Sequence, residues 1–351
     1  STWTGDGNTG RNIRTLQFKP DLVWIKQRST TRAHALFDSV RGANKRLQSS
    51  STNAQTTHTD QMSAFIDNGF TVEDNNTVNV NGGTYVGWSW RAGGNKNTFN
   101  IDDVGYASAA AAGLTAGDTT PTGASVGTKQ GFSIIKYTGP NDTNNHEVPH
   151  GLSQAPDFII TKNLDATYNW DIYHSSLADD AYLIFTTAAT RAQGFNGRPT
   201  STVFKTEHDY STNENQKYIA YCWHDVPGLQ KFGEYIGNGN ADGAFIELGF
   251  RPRIIIAKAS TGGGSVPDWL IFDSERDSFN PADKNLSANY FGIEQYYSGG
   301  LLRPTDIDFL SNGFKIRNVR DANNANGSNF IYAAWAEAPS VNLFGGSSNA
   351  R

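Results

Sequence analysis

The chain has 351 residues, a formal net charge of −5 at pH 7 and aromatic side chains at 12% of its positions. Lysine and arginine form no block, so we expect no nucleic-acid partner, because a sequence-independent grip on phosphates needs clustered cations. The sequence has no apolar run long enough to cross a bilayer and no signal-peptide pattern, so we also expect no membrane insertion.

Two motifs recur three times along the sequence. The opening motif reads FKPDLVWIK, APDFIITK and FRPRIIIAK, and the closing motif reads YVGWSW, YIAYCW and FIYAAW. Recurrence of this kind indicates a tandem architecture. We therefore predict repeats at residues 1–94, 131–232 and 233–339, an Ala/Gly/Thr-rich insertion or linker at 95–130, and an extended C-terminal tail at 340–351.

In the first repeat, the apolar LVWI segment is typical of a buried strand, and HALFD follows as a second short strand. FIDNGFTV at 65–72 places Asn-Gly between apolar residues, which predicts a two-residue hairpin. In YVGWSW both faces of the strand carry large side chains, so we expect a central strand that is covered on both sides.

The segment at 95–130 interrupts this pattern. Its first part, TFNIDDVGY, fits a hairpin, whereas AGLTAGDTTPTGASVGTK is typical of a linker or surface loop. Because no such insertion separates the second and third repeats, we expect those two to pack together more closely than either packs with the first. Apolar residues follow a period of two in every repeat, which predicts an all-β fold of three tandem antiparallel β-sandwiches with little helix.

Three short motifs resemble binding sites. His146 and His150 lie in HEVPH, which matches the HExxH pattern of zinc proteases, but that geometry needs a helix and Pro149 interrupts one. Gly5–Gly10 matches the GxGxxG dinucleotide pattern, but a proline-led strand follows where a helix is required. Asn238–Asp242 alternates oxygen-bearing side chains as calcium loops do, without their bidentate glutamate. We favour turns at all three and predict no metal and no cofactor, with calcium at the last left open.

Several acids invite a catalytic interpretation. The His224–Asp225 pair follows a closing motif, and Asp38 and Asp273 follow short apolar strands. Each of these two aspartates precedes an arginine by three residues, so an ion pair that braces a turn explains the spacing without catalysis. No nucleophile elbow is present, and we predict no catalytic residues.

Trp170 and Trp269 take matching positions in the second and third repeats, where the first repeat has His34. Such rings can stack on sugars, but half-buried strands also need them for packing, which we favour. Cys222 is the only cysteine, so it forms no intrachain disulfide, and its apolar neighbours predict a buried side chain. Residues that bind a ligand stay unassigned.

With YIAYCWHDVPGLQKFGEYIGNG, LGFRPRIIIAK, DFLSNGFKIRN and FIYAAWAEAP, the chain resembles a repeated domain of tailed-phage virion proteins, chiefly from phages of marine bacteria and cyanobacteria. The resemblance covers all three repeats and the closing GGSSNAR segment. It implies β-sandwich modules of the concanavalin A-like, jelly-roll type in tail fibres and other surface appendages. It supplies no catalytic residues.

The function that the resemblance implies is that of a non-enzymatic structural protein on the virion surface, assembled in the host cytoplasm and contributing to host attachment. Its expected partners are other virion proteins, a host surface glycan and further copies of the chain, with a trimer favoured. Two alternatives stay open: a capsid or neck decoration without a receptor role, and a tailspike-like enzyme that hydrolyses glycans. Because the chain starts at Ser1, we also expect an N-terminal portion to be missing.

Overall fold

A computed structural model gives the fold and describes residues 1–140, 142, 144–179, 181–185, 191, 192, 195, 197–206, 215–261, 268–294 and 305–336. Across these ranges the chain forms 28 strands and a single helix of four residues, so the all-β prediction is confirmed. The predicted tail at 340–351 lies outside the described residues. Within the described ranges, no helix has the length and apolar character needed to cross a bilayer.

The chain divides into two compact units. The first comprises Ser1–Thr186 and Arg191–His224, and the second begins at Asp225. The first unit therefore contains the predicted first repeat together with nearly all of the second. The expectation that the second and third repeats pack together more closely is wrong.

The N-terminal part of the first unit is a two-layered sandwich. A six-stranded sheet, ordered β1-β9-β3-β4-β5-β6, lies over a three-stranded sheet, ordered β2-β8-β7. The strands are β1 (Thr2–Thr4), β2 (Arg11–Ile13), β3 (Leu22–Gln27), β4 (Ala35–Asp38), β5 (Gly42–Leu47), β6 (Thr56–Thr57), β7 (Met62–Ile66), β8 (Gly69–Val72) and β9 (Thr84–Trp90). Val23 and Ile25 of the larger sheet meet Phe70 and Val72 of the smaller one in a shared apolar core.

The predicted hairpin and central strand are both confirmed. β7 and β8 pair antiparallel, and their turn residues are Asp67 and Asn68, with Asn68 at a φ of 67°. β9 lies between β1 and β3. Tyr85 points into the sandwich core, whereas Trp88 and Trp90 lie on the opposite face and are also buried, because successive side chains of a strand alternate.

The rest of the first unit forms a second sandwich. Its nine-stranded sheet is ordered β11-β10-β12-β13-β20-β15-β16-β17-β18, and its second layer pairs β14 with β19. The strands are β10 (Phe99–Ile101), β11 (Val104–Tyr106), β12 (Pro121–Gly127), β13 (Phe132–Thr138), β14 (His146–Pro149), β15 (Phe158–Asn163), β16 (Trp170–His174), β17 (Ala181–Ile184), β18 (Arg191–Ala192), β19 (Val203–Thr206) and β20 (Lys217–Trp223). Val148 and Phe204 join Ile135, Tyr137 and Ile159 in its core.

The segment at 95–130 is part of this second sheet. Its predicted hairpin is confirmed as β10 and β11. The interpretation of the following stretch as a linker or surface loop is wrong for β12, which pairs with β10 on one side and β13 on the other. Five of its seven residues are buried in a row, from Gly123 to Gly127. The many small residues of this strand fit a crowded sheet, which composition alone does not distinguish from a flexible loop.

The second unit is a sandwich of a five-stranded sheet, ordered β21-β28-β23-β24-β25, and a three-stranded sheet, ordered β22-β27-β26. The elements are β21 (Gln230–Ile236), β22 (Phe245–Glu247), β23 (Pro252–Ala259), β24 (Leu270–Asp273), β25 (Leu286–Ser287), β26 (Ile307–Leu310), β27 (Gly313–Ile316), α1 (Asp321–Asn324) and β28 (Asn329–Ala336). Ile255, Phe272 and Phe330 pack against Phe309 and Phe314 in its core.

The three larger sheets share one strand order. β1-β9-β3-β4-β5, β13-β20-β15-β16-β17 and β21-β28-β23-β24-β25 each place a closing-motif strand next to an opening-motif strand. The two recurring sequence motifs are therefore the paired central strands of each sheet.

Within the first unit, aromatic rings join the two larger sheets. Trp24 of the first sheet lies 6.1 Å from Phe185 between ring centroids, and Trp90 lies 6.2 Å from Trp223. Trp223 also stacks on Phe132 at 4.5 Å. The predicted burial of the YIAYCW strand is confirmed, since Trp223 is 2% exposed.

Replacing Trp223 by alanine removes a ring that packs on both sheets, so the free energy of unfolding should fall by about 3–5 kcal/mol. Denaturant unfolding followed by far-UV circular dichroism measures this change. Val104→Ala is the control, because Val104 is 52% exposed and its truncation should cost less than about 0.5 kcal/mol. A loss below about 1 kcal/mol for Trp223→Ala contradicts the packing described above.

Candidate functional site

The HEVPH motif forms strand β14, so the helix that the zinc-protease geometry requires is replaced by an extended backbone. His146 Nε2 lies 2.8 Å from Asp142 Oδ1, and its Nδ1 lies 3.2 Å from Asp118 Oδ2. Burial opposes protonation of His146, but the hydrogen bond to Asp142 and the nearby Asp118 carboxylate outweigh it and raise the pKa of this imidazole.

His150 uses both ring nitrogens within the protein. Its Nε2 lies 3.1 Å from the Thr200 carbonyl oxygen, and its Nδ1 accepts a hydrogen bond from the Leu152 amide at 3.1 Å. This arrangement fixes a neutral imidazole with the proton on Nε2, since Nδ1 must accept. Burial lowers the pKa of His150 to about 4. The one lone pair of this imidazole, on Nδ1, is then not available to a metal without breaking the bond to the Leu152 amide.

The Gly5–Gly10 motif is a turn between β1 and β2, so the phosphate-binding helix of a dinucleotide site is replaced by a strand. The Gly5 amide donates to the Gly83 carbonyl at 2.7 Å. A side chain at Gly5 would place its Cβ 2.0 Å from the Val80 carbonyl oxygen. Close backbone approach explains the glycine at this position.

The Asn238–Asp242 segment is a chain of side-chain-braced turns. Asn238 Oδ1 accepts from the Asn240 amide at 2.9 Å, and Asn240 Oδ1 accepts from the Asp242 amide at 3.1 Å. Asp242 also pairs with Lys315 Nζ at 2.5 Å. The oxygens that alternate in the sequence are thus directed at backbone amides and a lysine, which is the behaviour of a turn.

The two Asp-x-x-Arg spacings form buried ion pairs, as predicted. Asp38 binds Arg41 through the Arg41 Nε and backbone amide, and both side chains are fully buried. In the second unit Asp273 Oδ2 lies 2.5 Å from Arg276 Nε, and Glu294 Oε1 lies 2.9 Å from Arg276 Nη1. Paired with arginine in this way, these carboxylates brace turns.

Tyr221 adds a partner that the sequence did not reveal. Its hydroxyl donates to Asp38 Oδ2 at 2.7 Å, and Arg41 Nη2 donates to the Tyr221 oxygen at 3.3 Å. Burial raises the pKa of Tyr221 well above its ordinary value. Because Tyr221 lies in β20 and Asp38 in β4, this triad links the two larger sheets of the first unit.

The remaining candidate residues have separate contacts. His224 Nδ1 lies 2.8 Å from Gln154 Nε2, whereas Asp225 accepts a hydrogen bond from the Phe232 amide at 2.8 Å. Trp170 and Trp269 are 0% and 1% exposed, so the packing interpretation is confirmed for both rings. The geometry gathers none of these groups into a catalytic arrangement among the described residues.

A buried lysine is the next-to-last residue of each opening-motif strand. Lys26, Lys162 and Lys258 are at most 1% exposed. Lys162 Nζ donates to the carbonyls of Thr52 at 3.1 Å and Asn163 at 2.9 Å. Burial lowers the pKa of Lys162 and of Lys258 to about 8. Their recurrence as the last residue of WIK, ITK and IAK is the signal that identifies them.

Exposed apolar side chains concentrate on the second unit. The eight exposed large hydrophobic residues of the described ranges include one in the first unit, Val104, and seven in the second: Ile236, Phe245, Phe279, Tyr290, Phe291, Ile293 and Val319. Four of these lie in 279–293, which we call the aromatic segment. Its rings Tyr290 and Phe291 lie 5.1 Å apart between centroids. Tyr296 and Tyr297, which follow in the sequence, lie outside the described residues.

The fold and the buried polar groups define an all-β protein of antiparallel sandwiches. The chain belongs to the DUF7483 family, a domain of unknown function, whose model matches residues 1–339. Comparison with curated proteins and with solved structures gives no match.

Replacing Arg41 by methionine leaves the Asp38 carboxylate buried without its cation, so the free energy of unfolding should fall by about 3–5 kcal/mol. The matched control is Arg91→Met, because Arg91 pairs with Asp103 and these side chains are 40% and 45% exposed. That change should cost about 1 kcal/mol or less, since solvent screens the pair. Denaturant unfolding of both variants checks the difference, and equal losses would contradict the role of the triad.

The free energy of unfolding should depend on His150 between pH 6.5 and 5. The pKa of His150 is lowered from 6.5 to about 4 in the folded state, so the unfolded chain binds the proton more tightly. Stability from this group is therefore present above pH 6.5 and is lost as the pH falls. His150→Asn should flatten the fall in denaturant midpoint over this window.

His146→Asn is the control with the opposite sign. The raised pKa of His146 gives stability that is present at low pH and lost as the pH rises through the folded-state pKa. Its removal should abolish a gain in denaturant midpoint that the parent shows as the pH falls through the range just above 6.5, and should leave the slope from pH 6.5 to 5 nearly unchanged. If the dependence of stability on pH changes in the same direction in both variants, the pKa values of His150 and His146 are not shifted in opposite directions.

Proposed function

We propose that the chain is a non-enzymatic structural protein of a tailed-phage virion, displayed on the particle surface as a tail fibre or appendage and contributing to host attachment. The resemblance of its repeated motifs to phage virion domains supports the virion setting. The aromatic segment supports a role in binding, and it is the observation that carries the attachment function.

The aromatic segment presents apolar surface to solvent. Phe279 is 82% exposed, and Tyr290, Phe291 and Ile293 are each nearly half exposed. Elsewhere in the described ranges, large aromatic side chains are mostly buried. The exposure of these rings is therefore a feature of this segment. Contiguous exposed apolar side chains on a folded protein mark interaction surfaces.

A glycan is the ligand that fits this surface. The apolar faces of sugar rings pack on aromatic side chains, and Tyr290 adds a hydroxyl that can hydrogen-bond. A host surface polysaccharide repeats the same sugars along its length. Several copies of the chain on one particle would therefore bind it together and gain avidity. A homo-oligomer, with a trimer favoured, and contacts with other virion proteins complete the proposal.

The binding role is tested with fluorescently labelled chain on an array of bacterial surface polysaccharides. The Tyr290→Ser/Phe291→Ser double variant should bind about tenfold more weakly, because stacking on two rings contributes on the order of 1 kcal/mol or more. Val104→Ser is the control on the first unit and should bind like the parent. Unchanged binding by the double variant would contradict attachment through this segment.

Two further measurements separate the alternatives. Release of reducing sugar from the bound polysaccharide would indicate a glycan hydrolase. Immunogold labelling of virions places the chain on the tail or on the capsid and neck, and light scattering gives the number of copies in the assembly. Labelling confined to the capsid or neck, together with a monomer in solution, would favour decoration over a fibre.

A further inference from the structure

The second unit contains a group of buried oxygen atoms to which no described residue donates a hydrogen bond. Asn285 is 4% exposed and Asn323 is 1% exposed, and the Oδ1 of each accepts no hydrogen bond. Asp306 Oδ1 is likewise buried and has no hydrogen-bond donor. A buried acceptor without a hydrogen bond destabilises the folded state, so three in neighbouring side chains require an explanation.

The side chains that carry these three oxygens meet at Thr305 or follow it in the chain. Asn285 Nδ2 donates to Thr305 Oγ1 at 2.8 Å, and Asn323 Nδ2 donates to the Thr305 carbonyl at 3.1 Å. An amide oxygen and nitrogen share one carbon atom, so each Oδ1 atom lies one amide group away from an atom of Thr305. Asp306 is the next residue in the chain. A carbonyl cannot donate, so the amide orientation of Asn323 is fixed with its oxygen directed away from the Thr305 carbonyl.

The same place brings negative charges together. Ala282 and Ile307 form an antiparallel bridge with both backbone hydrogen bonds, 2.7 and 3.1 Å long. That register sets Asp283 directly opposite Asp306, and like charges at opposed positions destabilise a sheet. Burial, followed by the charges of Asp283 and Asp277, raises the pKa of Asp306 to about 6, against a weaker attraction from Arg320. Lys284 is engaged with Asp277, at 3.6 Å from its Oδ1.

We propose that the second unit binds a calcium ion at Asp306, with the amide oxygens of Asn285 and Asn323 as further ligands and Asp283 supplying charge from the opposite segment. One cation coordinates all three oxygens and offsets the repulsion between the carboxylates of Asp283 and Asp306. A water molecule donates only two hydrogen bonds and leaves that repulsion in place. Calcium accepts carboxylate and amide oxygens together in irregular geometry, whereas magnesium retains most of its water.

The site differs from the calcium-like motif in the sequence. The Asn238–Asp242 turn already directs its side-chain oxygens at backbone amides. Asp306, Asn285 and Asn323 instead each have a buried Oδ1 that accepts no hydrogen bond. No set of three histidine, cysteine, aspartate or glutamate side chains in the described ranges is placed to hold a metal, and asparagine amides complete the site here.

Thermal unfolding of the full chain, stripped with EDTA and dialysed, tests the proposal. Addition of 1 mM CaCl₂ should raise the melting temperature of the second unit by about 5 °C, whereas MgCl₂ and NaCl at equal ionic strength should raise it far less. Isothermal titration with CaCl₂ should give one site per chain. No calcium-dependent shift in the parent overturns the proposal.

Asp306→Asn keeps the size of the side chain and removes its charge, so the calcium shift should vanish. In EDTA this variant should melt at or above the parent, because the repulsion with Asp283 is relieved. Asp283→Asn is the second variant and should weaken calcium binding at least tenfold. Asp242→Asn is the matched control in the other motif and should keep the full shift. A shift that survives in Asp306→Asn but is lost in Asp242→Asn would place the ion in the Asn238–Asp242 turn and overturn the proposal.

Discussion

The buried triad of Asp38, Arg41 and Tyr221 is the interaction on which the first unit depends. A buried carboxylate is tolerated only when its charge is paired and its oxygens accept hydrogen bonds. Arg41 supplies the cation and a backbone amide from the same turn, and Tyr221 adds a hydroxyl donor from the other sheet when β4 and β20 lie face to face. The triad therefore favours one arrangement of the two sheets, together with hydrogen bonds such as that of Lys162 to the Thr52 carbonyl.

The turn that holds Asp38 in the first sheet has a different polar contact in each of the three larger sheets. The second unit replaces the tyrosine with Glu294, a second carboxylate on the same arginine. The middle sheet carries His174 at this point of β16, and its Nδ1 accepts from the Ser176 amide at 3.1 Å. A neutral imidazole needs no counter-ion, so this sheet has no arginine at the matching place. Strands of similar sequence are thus followed by turns with three different sets of polar contacts.

Local features of the fold were predictable from the sequence, and long-range ones were not. The β7–β8 hairpin, the covered strand β9 and the Asp-x-x-Arg pairs all depend on residues within a few positions of one another. The pairing of β12 between β10 and β13 depends on distant partners, and its small residues also suit a loop. The opposition of Asp283 and Asp306 likewise follows from a bridge between segments more than 20 residues apart, which no local pattern encodes.

Cys222 is the next-to-last residue of β20, fully buried, and burial raises the pKa of its thiol. A thiol reagent reacts with the thiolate, so it can reach this sulfur only after β20 separates from its neighbours. Labelling of the native protein would then proceed at a rate set by the opening of the sheet. The only cysteine of the chain is thus an internal chemical reporter of local opening at the strand that links the two sandwiches of the first unit.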